Sequence, residues 1–181
     1  MTTQTNHLSA EHDSRPVVVG YDGSASAGSA LDRSISMARA LGVPLRIVST
    51  WQYPTSYGGY PLSGWTPEED ARIMIDAALV TRFGSDVPTW VSSETVEGGA
   101  ARVLIRESRD AQMLVVGSRG HGGFVGLLLG SVSSACAEHA SCPVLVMHAP
   151  PVDHDDAIDA GAEALGDGSR TSDQLAGATT S

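Results

Sequence analysis

Residues 117–131 read Gly117-Ser118-Arg119-Gly120-His121-Gly122-Gly123-Phe124-Val125-Gly126-Leu127-Leu128-Leu129-Gly130-Ser131, with six glycines in the first fourteen positions. Glycine brings backbone amides to a surface without Cβ obstruction. Ser131 is expected at the N-cap of a following helix, where unpaired N–H groups and the positive end of the macrodipole attract an anion. A strand, a glycine loop and a helix start in that order describe a phosphate cradle. Two familiar cradles do not fit. The loop whose Lys reaches the β- and γ-phosphates fails because Gly130, not Lys, precedes Ser131, and a G-x-G-x-x-G run begun at Gly120 meets Val125 where glycine is needed. A loop this long inside a compact domain is usually functional, so a loop that only turns a corner is the weaker reading.

The basic residues sharpen the chemistry. All 11 are Arg, which removes Schiff-base, Lys-base and Lys-phosphate mechanisms together. A phosphate in this cradle would have to be held without an amine. No G-x-S-x-G elbow supplies a serine nucleophile. Cys136, His139, Cys142 and His148 have the residue types of a zinc site, but Cys136 and His139 share a helix face whereas Cys142 opens a strand, so buried thiols and a helix-end His are the expectation. The segment 51–65 holds five of the nine aromatics among Pro and Gly. It reads either as a lid or partner surface or as a self-packed loop closing the sheet edge.

The elements that must position these residues alternate. Pro16 to Gly20 is a continuous apolar run, as in a strand buried on both faces. Ala27, Leu31, Ile35, Ala38 and Leu41 then recur at helical spacing until Gly42. Leu45 to Trp51 is a second strand. Thr66-Pro67-Glu68-Glu69 has the form of a capping box, opening a helix that Phe83-Gly84 closes. Pro88 to Val96 reads as a third strand, Ala100 to Arg109 as a short helix, Met113 to Val116 as a fourth strand, Ser131 to Ala140 as a helix and Pro143 to Met147 as a fifth strand. Such alternation predicts an α/β fold: a five-stranded, mostly parallel sheet with helices on both faces, built from right-handed βαβ crossovers. Ligands on such sheets sit at the carboxyl ends of the strands, here after Val19, Val48 and Val116.

Charge sets the expected boundaries. Of the net −10, residues 149–181 carry −6 and residues 16–148 only −3. Polar residues 1–14 and acidic residues 150–181 are expected to be disordered tails around a domain at 15–149. Without a basic stripe, nucleic acid is excluded as a partner, and without an apolar run of about 18 residues so is a membrane span. The first fifteen residues lack the apolar core of a secretory signal, and two cysteines read as reduced thiols, so a cytoplasmic protein is expected.

The spacing Gly117-x2-Gly120-x9-Gly130-Ser131 resembles the G-x2-G-x9-G-[ST] nucleotide motif of the universal stress protein family. Val19-Gly20-Tyr21-Asp22-Gly23-Ser24, the helix start at Ala27 to Ala30 and Cys142-Pro143-Val144-Leu145-Val146 are also similar, so the likeness covers residues 16–148. The resemblance implies a Rossmann-like five-stranded fold that binds ATP with Mg2+, little or no turnover, and a homodimer formed through the last strand, Val144, Leu145, Val146 and Met147. Carried residue by residue, it places Gly20 and Asp22 beside the nucleotide at the end of the first strand and the backbone around Val48 against adenine. Gly117, Ser118, Arg119, Gly120, His121, Gly122, Gly123, Gly130, Ser131 and Val132 then surround ribose and phosphates, mainly through main-chain N–H. Asp22 is alternatively a turn residue before Gly23, Arg119 a surface cation, and His121 a solvated loop residue. Three functions stay open: a nucleotide-dependent stress-response regulator, a slow nucleotide hydrolase or transferase on the same cradle, and a nucleotide-independent module that binds an unknown protein. Gly117→Ala is expected to weaken ATP binding with the fold intact.

Overall fold

The computed structural model of the chain describes residues 13–53, 66–120 and 129–150. All belong to the unit Met1–Pro150; the second unit, Pro151–Ser181, and with it the acidic tail, lies outside the described residues, as do most of the aromatic segment and His121, Gly122 and Gly123. The elements run β1 (Val17–Gly20), α1 (Ala25–Leu41), β2 (Leu45–Trp51), α2 (Pro67–Phe83), β3 (Val91–Glu97), α3 (Ala100–Glu107), a 3-10 turn at Ser108–Asp110, β4 (Met113–Gly117), α4 (Ser131–His139) and β5 (Val144–Met147). The sheet has five strands in the order β3-β2-β1-β4-β5, and every pairing is parallel. Strand order reverses between β1 and β4, leaving a crevice at their carboxyl ends.

The apolar runs are continuous because both sheet faces are covered. Val17 and Val19 point to a core shared with Leu31 and Ala38 of α1 and Ile75 and Leu79 of α2. Val18 points the other way, to Val103 and Leu104 of α3 and Cys136 of α4. Each fully buried Val or Leu contributes about 1.5–3 kcal/mol, so the central strand anchors both layers. α1 is bounded as its sequence demands. The Ala27 amide donates to the Ser24 hydroxyl at 3.2 Å, and Gly42 ends the helix at φ 67°, a left-handed conformation open to glycine.

Three local expectations are corrected. Thr66 is the N-cap of α2 and Pro67 its first residue, but the Thr66 side chain makes no capping bond. Thr66 sits at φ −123° and ψ 87°, away from the extended cap conformation, and Glu69 is paired instead with Arg72 one turn on, with Arg72 Nε 3.0 Å from Oε2. The third strand starts at Val91 rather than Pro88, since the Val91 amide donates to the Pro88 carbonyl at 2.9 Å in a turn that precedes the ladder. The N-cap of α4 is Gly130 rather than Ser131, which is the first helical residue. Having no side chain, Gly130 cannot cap the first amides of α4.

The two sheet edges differ. β3 presents Ser92, Ser93, Glu94 and Glu97, exposed and polar, which suits a strand that must not pair further. β5 consists only of half-buried Val144, Leu145, Val146 and Met147.

Candidate functional site

A cavity of about 300 Å3 opens at the crevice. Gly20 and Asp22 enter it from the end of β1, Val48 from β2, and Gly117, Arg119 and Gly120 from β4 and the loop start; Gly130, Ser131 and Val132 enter from the head of α4. Nine of the residues named from sequence thus come together. Ser118 does not join them. It is buried, its amide donates to the Met147 carbonyl at 2.6 Å, and its carbonyl accepts from the Gly130 amide at 2.7 Å and lies 2.9 Å from Ser133 Oγ. Ser118 therefore clasps the two ends of the glycine loop and ties them to β5.

The motif glycines serve different physical ends. A Cβ on Gly117 would lie 2.5 Å from Ser26 Oγ and 2.8 Å from the Ala27 backbone nitrogen, so this glycine lets β4 reach the head of α1. That corrects the expectation for Gly117→Ala: the substitution disturbs the fold itself. A Cβ on Gly120 would stand 2.5 Å from Asp22 Oδ2, so the second glycine admits the carboxylate. A Cβ on Gly130 would meet nothing closer than 3.4 Å, which is ordinary contact.

Asp22 is a turn residue that also lines the cavity. The Ser24 amide donates to its Oδ1 at 3.0 Å, the bond of an Asx turn leading into α1. The same lining holds this carboxylate, Arg119 and the first amides of α4, which the Gly130 N-cap leaves without a side-chain cap. Those amides carry the positive end of the helix dipole and suit an anion.

Apolar side chains complete the lining: Ala27, Val48, Leu104 and Val116, with Ala100 at the head of α3 and Thr50 on β2. Val48 contributes its side chain, but its carbonyl accepts from the Tyr21 amide at 2.9 Å. Along a parallel strand, alternate residues direct N–H and C=O to the same side, and the Trp51 carbonyl faces β3, where it accepts from Gly98 at 2.9 Å. Thr50 therefore directs its backbone to the side that β1, ending at Gly20, has left. The main-chain groups open to a planar polar ligand belong to Thr50, two residues beyond Val48.

Tyr21, Ala27, Thr50, Ala100, Leu104, Val116 and Ser133 also line the cavity, beyond the site residues expected from the sequence. Thr50 was reachable from the two-residue period of β2, and Ala100 from the Gly98-Gly99 break before α3. Nothing in the sequence singles out Ser133, whose position depends on how the loop closes. Among the described residues, no group of three or more His, Cys, Asp and Glu is placed to hold a metal. Cys136 is buried on the α4 side of the sheet, which pushes its thiol up to about 11, whereas His139 is exposed at the helix end. No described helix is long and apolar enough to cross a membrane.

A fully parallel sheet in this order, with an amide-rich cavity at its switch point, defines a Rossmann-like α/β domain. The profile of the Universal stress protein family matches residues 14–148, and the chain belongs to that family. A universal stress protein of Mycolicibacterium smegmatis is 37% identical over 142 residues, an alignment covering 76% of this chain and 47% of that protein. One of Mycobacterium bovis is 33% identical over 154 residues, covering 78% and 49%. The chain thus spans about half the length of these curated relatives. Among solved structures, the universal stress protein UspA from Lactobacillus plantarum superposes with a TM-score of 0.59 at 17% identity, covering 74% of this chain and 97% of that one. The Archaeoglobus fulgidus protein in complex with dAMP gives 0.50 at 22%, covering 74% and 97%. Both share the fold.

Proposed function

We propose that the cavity holds an adenine nucleotide, ATP with Mg2+, and that the protein is a cytoplasmic, nucleotide-dependent regulator of a stress response with little or no turnover. The observation carrying this reading is that one cavity joins the glycine-loop start and the head of α4 to an apolar lining that reaches β2 and α3. The uncapped head of α4 and the Gly117–Gly120 turn suit phosphates without any Lys. Leu104, Val116 and the exposed backbone of Thr50 suit the faces and edge of a base. dAMP, the ligand of the Archaeoglobus fulgidus protein, is of the same class. Asp22 is the carboxylate of the cavity and would hold Mg2+, which supplies neutralising charge on the phosphates.

The described lining of the cavity supports low turnover. Phosphoryl transfer needs a base or water-orienting group aligned with the γ-phosphate. Among the described residues Asp22 is the lining carboxylate, and its Oδ1 is already engaged by the Ser24 amide. The apolar edge of β5 supports a homodimer through Val144, Leu145, Val146 and Met147. Calorimetry tests the reading: Mg-ATP should bind the full chain with a dissociation constant between about 1 μM and 1 mM, and no heat at millimolar ATP would defeat it.

A further inference from the structure

The turn between β1 and α1 is locked to the start of the glycine loop. Ser26 is buried, and its hydroxyl donates to the carbonyl of Arg119. The Ser24 hydroxyl lies 3.3 Å from the same oxygen and 3.3 Å from Ser26 Oγ. The two chains approach this closely because Gly117 has no Cβ to meet Ser26. On its other flank the loop is met by Asp22, whose Oδ2 occupies the space a Gly120 side chain would need.

A trans peptide carries its C=O and N–H on opposite sides, and no cis bond interrupts the described backbone. Holding the Arg119 carbonyl against the head of α1 therefore fixes the Gly120 amide on the far side of the same peptide plane. Gly120 lines the cavity. Glycine on one side of this peptide would otherwise leave its plane free to turn, and a turned plane would offer a carbonyl oxygen where an anion needs a donor.

We propose that Ser26, seconded by Ser24, is a positioning residue for the anionic part of the ligand: its hydroxyl sets the Arg119–Gly120 peptide so that the Gly120 amide stands ready as a donor before any ligand arrives. Neither serine lies in the glycine motif, and Ser26 acts through the peptide rather than on the ligand. The proposal rests on the nucleotide reading and adds to it a division of labour, because the latch serves the phosphates and not the adenosine.

The experiment titrates ATP and adenosine separately into the full chain and its Ser26→Ala, Ser26→Thr and Ser24→Ala variants. Ser26→Ala should bind ATP about tenfold more weakly, because the Gly120 amide is no longer held ready and ordering it on binding costs about as much as one hydrogen bond is worth, while adenosine affinity stays within about twofold. Ser26→Thr keeps the hydroxyl and should recover most of the ATP affinity. Ser24→Ala, altered at a less buried position, should show the same split at smaller size and decides the matter if Ser26→Ala does not fold. Equal losses for ATP and adenosine, or unchanged ATP affinity, would overturn the latch alone. A wild-type chain that takes up neither ligand would overturn the nucleotide reading and the latch with it.

Discussion

Gly117→Ala is the substitution whose consequence the geometry determines most tightly. Its Cβ would stand 2.5 Å from Ser26 Oγ, 2.8 Å from the Ala27 nitrogen and 2.9 Å from the Ser26 carbonyl carbon. Two of these atoms are backbone in the first turn of α1, which cannot rotate aside, so α1 must move away from β4. Overpacking of this kind costs about 1–3 kcal/mol. The same movement pulls Ser26 Oγ from the Arg119 carbonyl, adding about 1 kcal/mol. The sum, roughly 2–4 kcal/mol, lowers the thermal midpoint by roughly 6–12 °C for a domain of this size. Gly130→Ala is the control, because its Cβ meets nothing closer than 3.4 Å and its φ of −78° suits any residue. Urea unfolding of both variants against wild type, with equal m-values, measures the difference. A Gly117→Ala protein within about 0.5 kcal/mol of wild type would refute the packing argument, since that is the scatter of inert surface changes.

Gly120→Ala should act oppositely to Gly117→Ala: the atom in its way is the end of the Asp22 side chain, so stability stays within about 1 kcal/mol while the displaced carboxylate weakens Mg-ATP binding in calorimetry. Sedimentation should find the wild-type chain at twice its 18.7 kDa, and Val146→Arg on the β5 edge should return it to the monomer; a wild-type monomer would remove the dimer proposal. Burial raises the Cys136 thiol from 9.0 to about 11, so the folded state keeps a proton that the unfolded state releases. That contribution is whole below pH 9 and is lost as pH rises toward 11, by about 2 kcal/mol. Urea midpoints at pH 8 and pH 11 should therefore fall further in wild type than in Cys136→Ala, and parallel falls would contradict the assignment.

Much of this organisation was legible because two periodicities dominate the chain. Continuous apolar runs marked strands covered on both faces, and the three- and four-residue spacing from Ala27 to Leu41 marked α1. What escaped were features fixed by competition or closure. Thr66 and Glu69 carry a capping signature, yet the Thr66 backbone departs from the cap conformation and Glu69 pairs with Arg72. Ser131 looked like an N-cap because caps favour hydroxyls, but Ser118 and Ser133 close the loop around Gly130 and move the helix start by one residue. Site residues followed the same division. The glycines of the loop were readable from type and spacing, and Gly20 and Asp22 from the resemblance to the family, whereas Thr50 is distinguished by where β1 stops, and Ser26 by a contact across 93 positions of sequence.

The central claim is that one ligand spans the cavity from the glycine-loop start and the head of α4 to β2 and the head of α3. Titration of the isotope-labelled full chain with Mg-ATP, followed by backbone amide shifts, tests it directly. The predicted result is saturable movement of Gly117, Gly120, Ser131 and Val132 at one end and Thr50 and Ala100 at the other, with a single dissociation constant below about 1 mM. Amides that stay in place at millimolar ATP, or that move only outside the cavity, would contradict it.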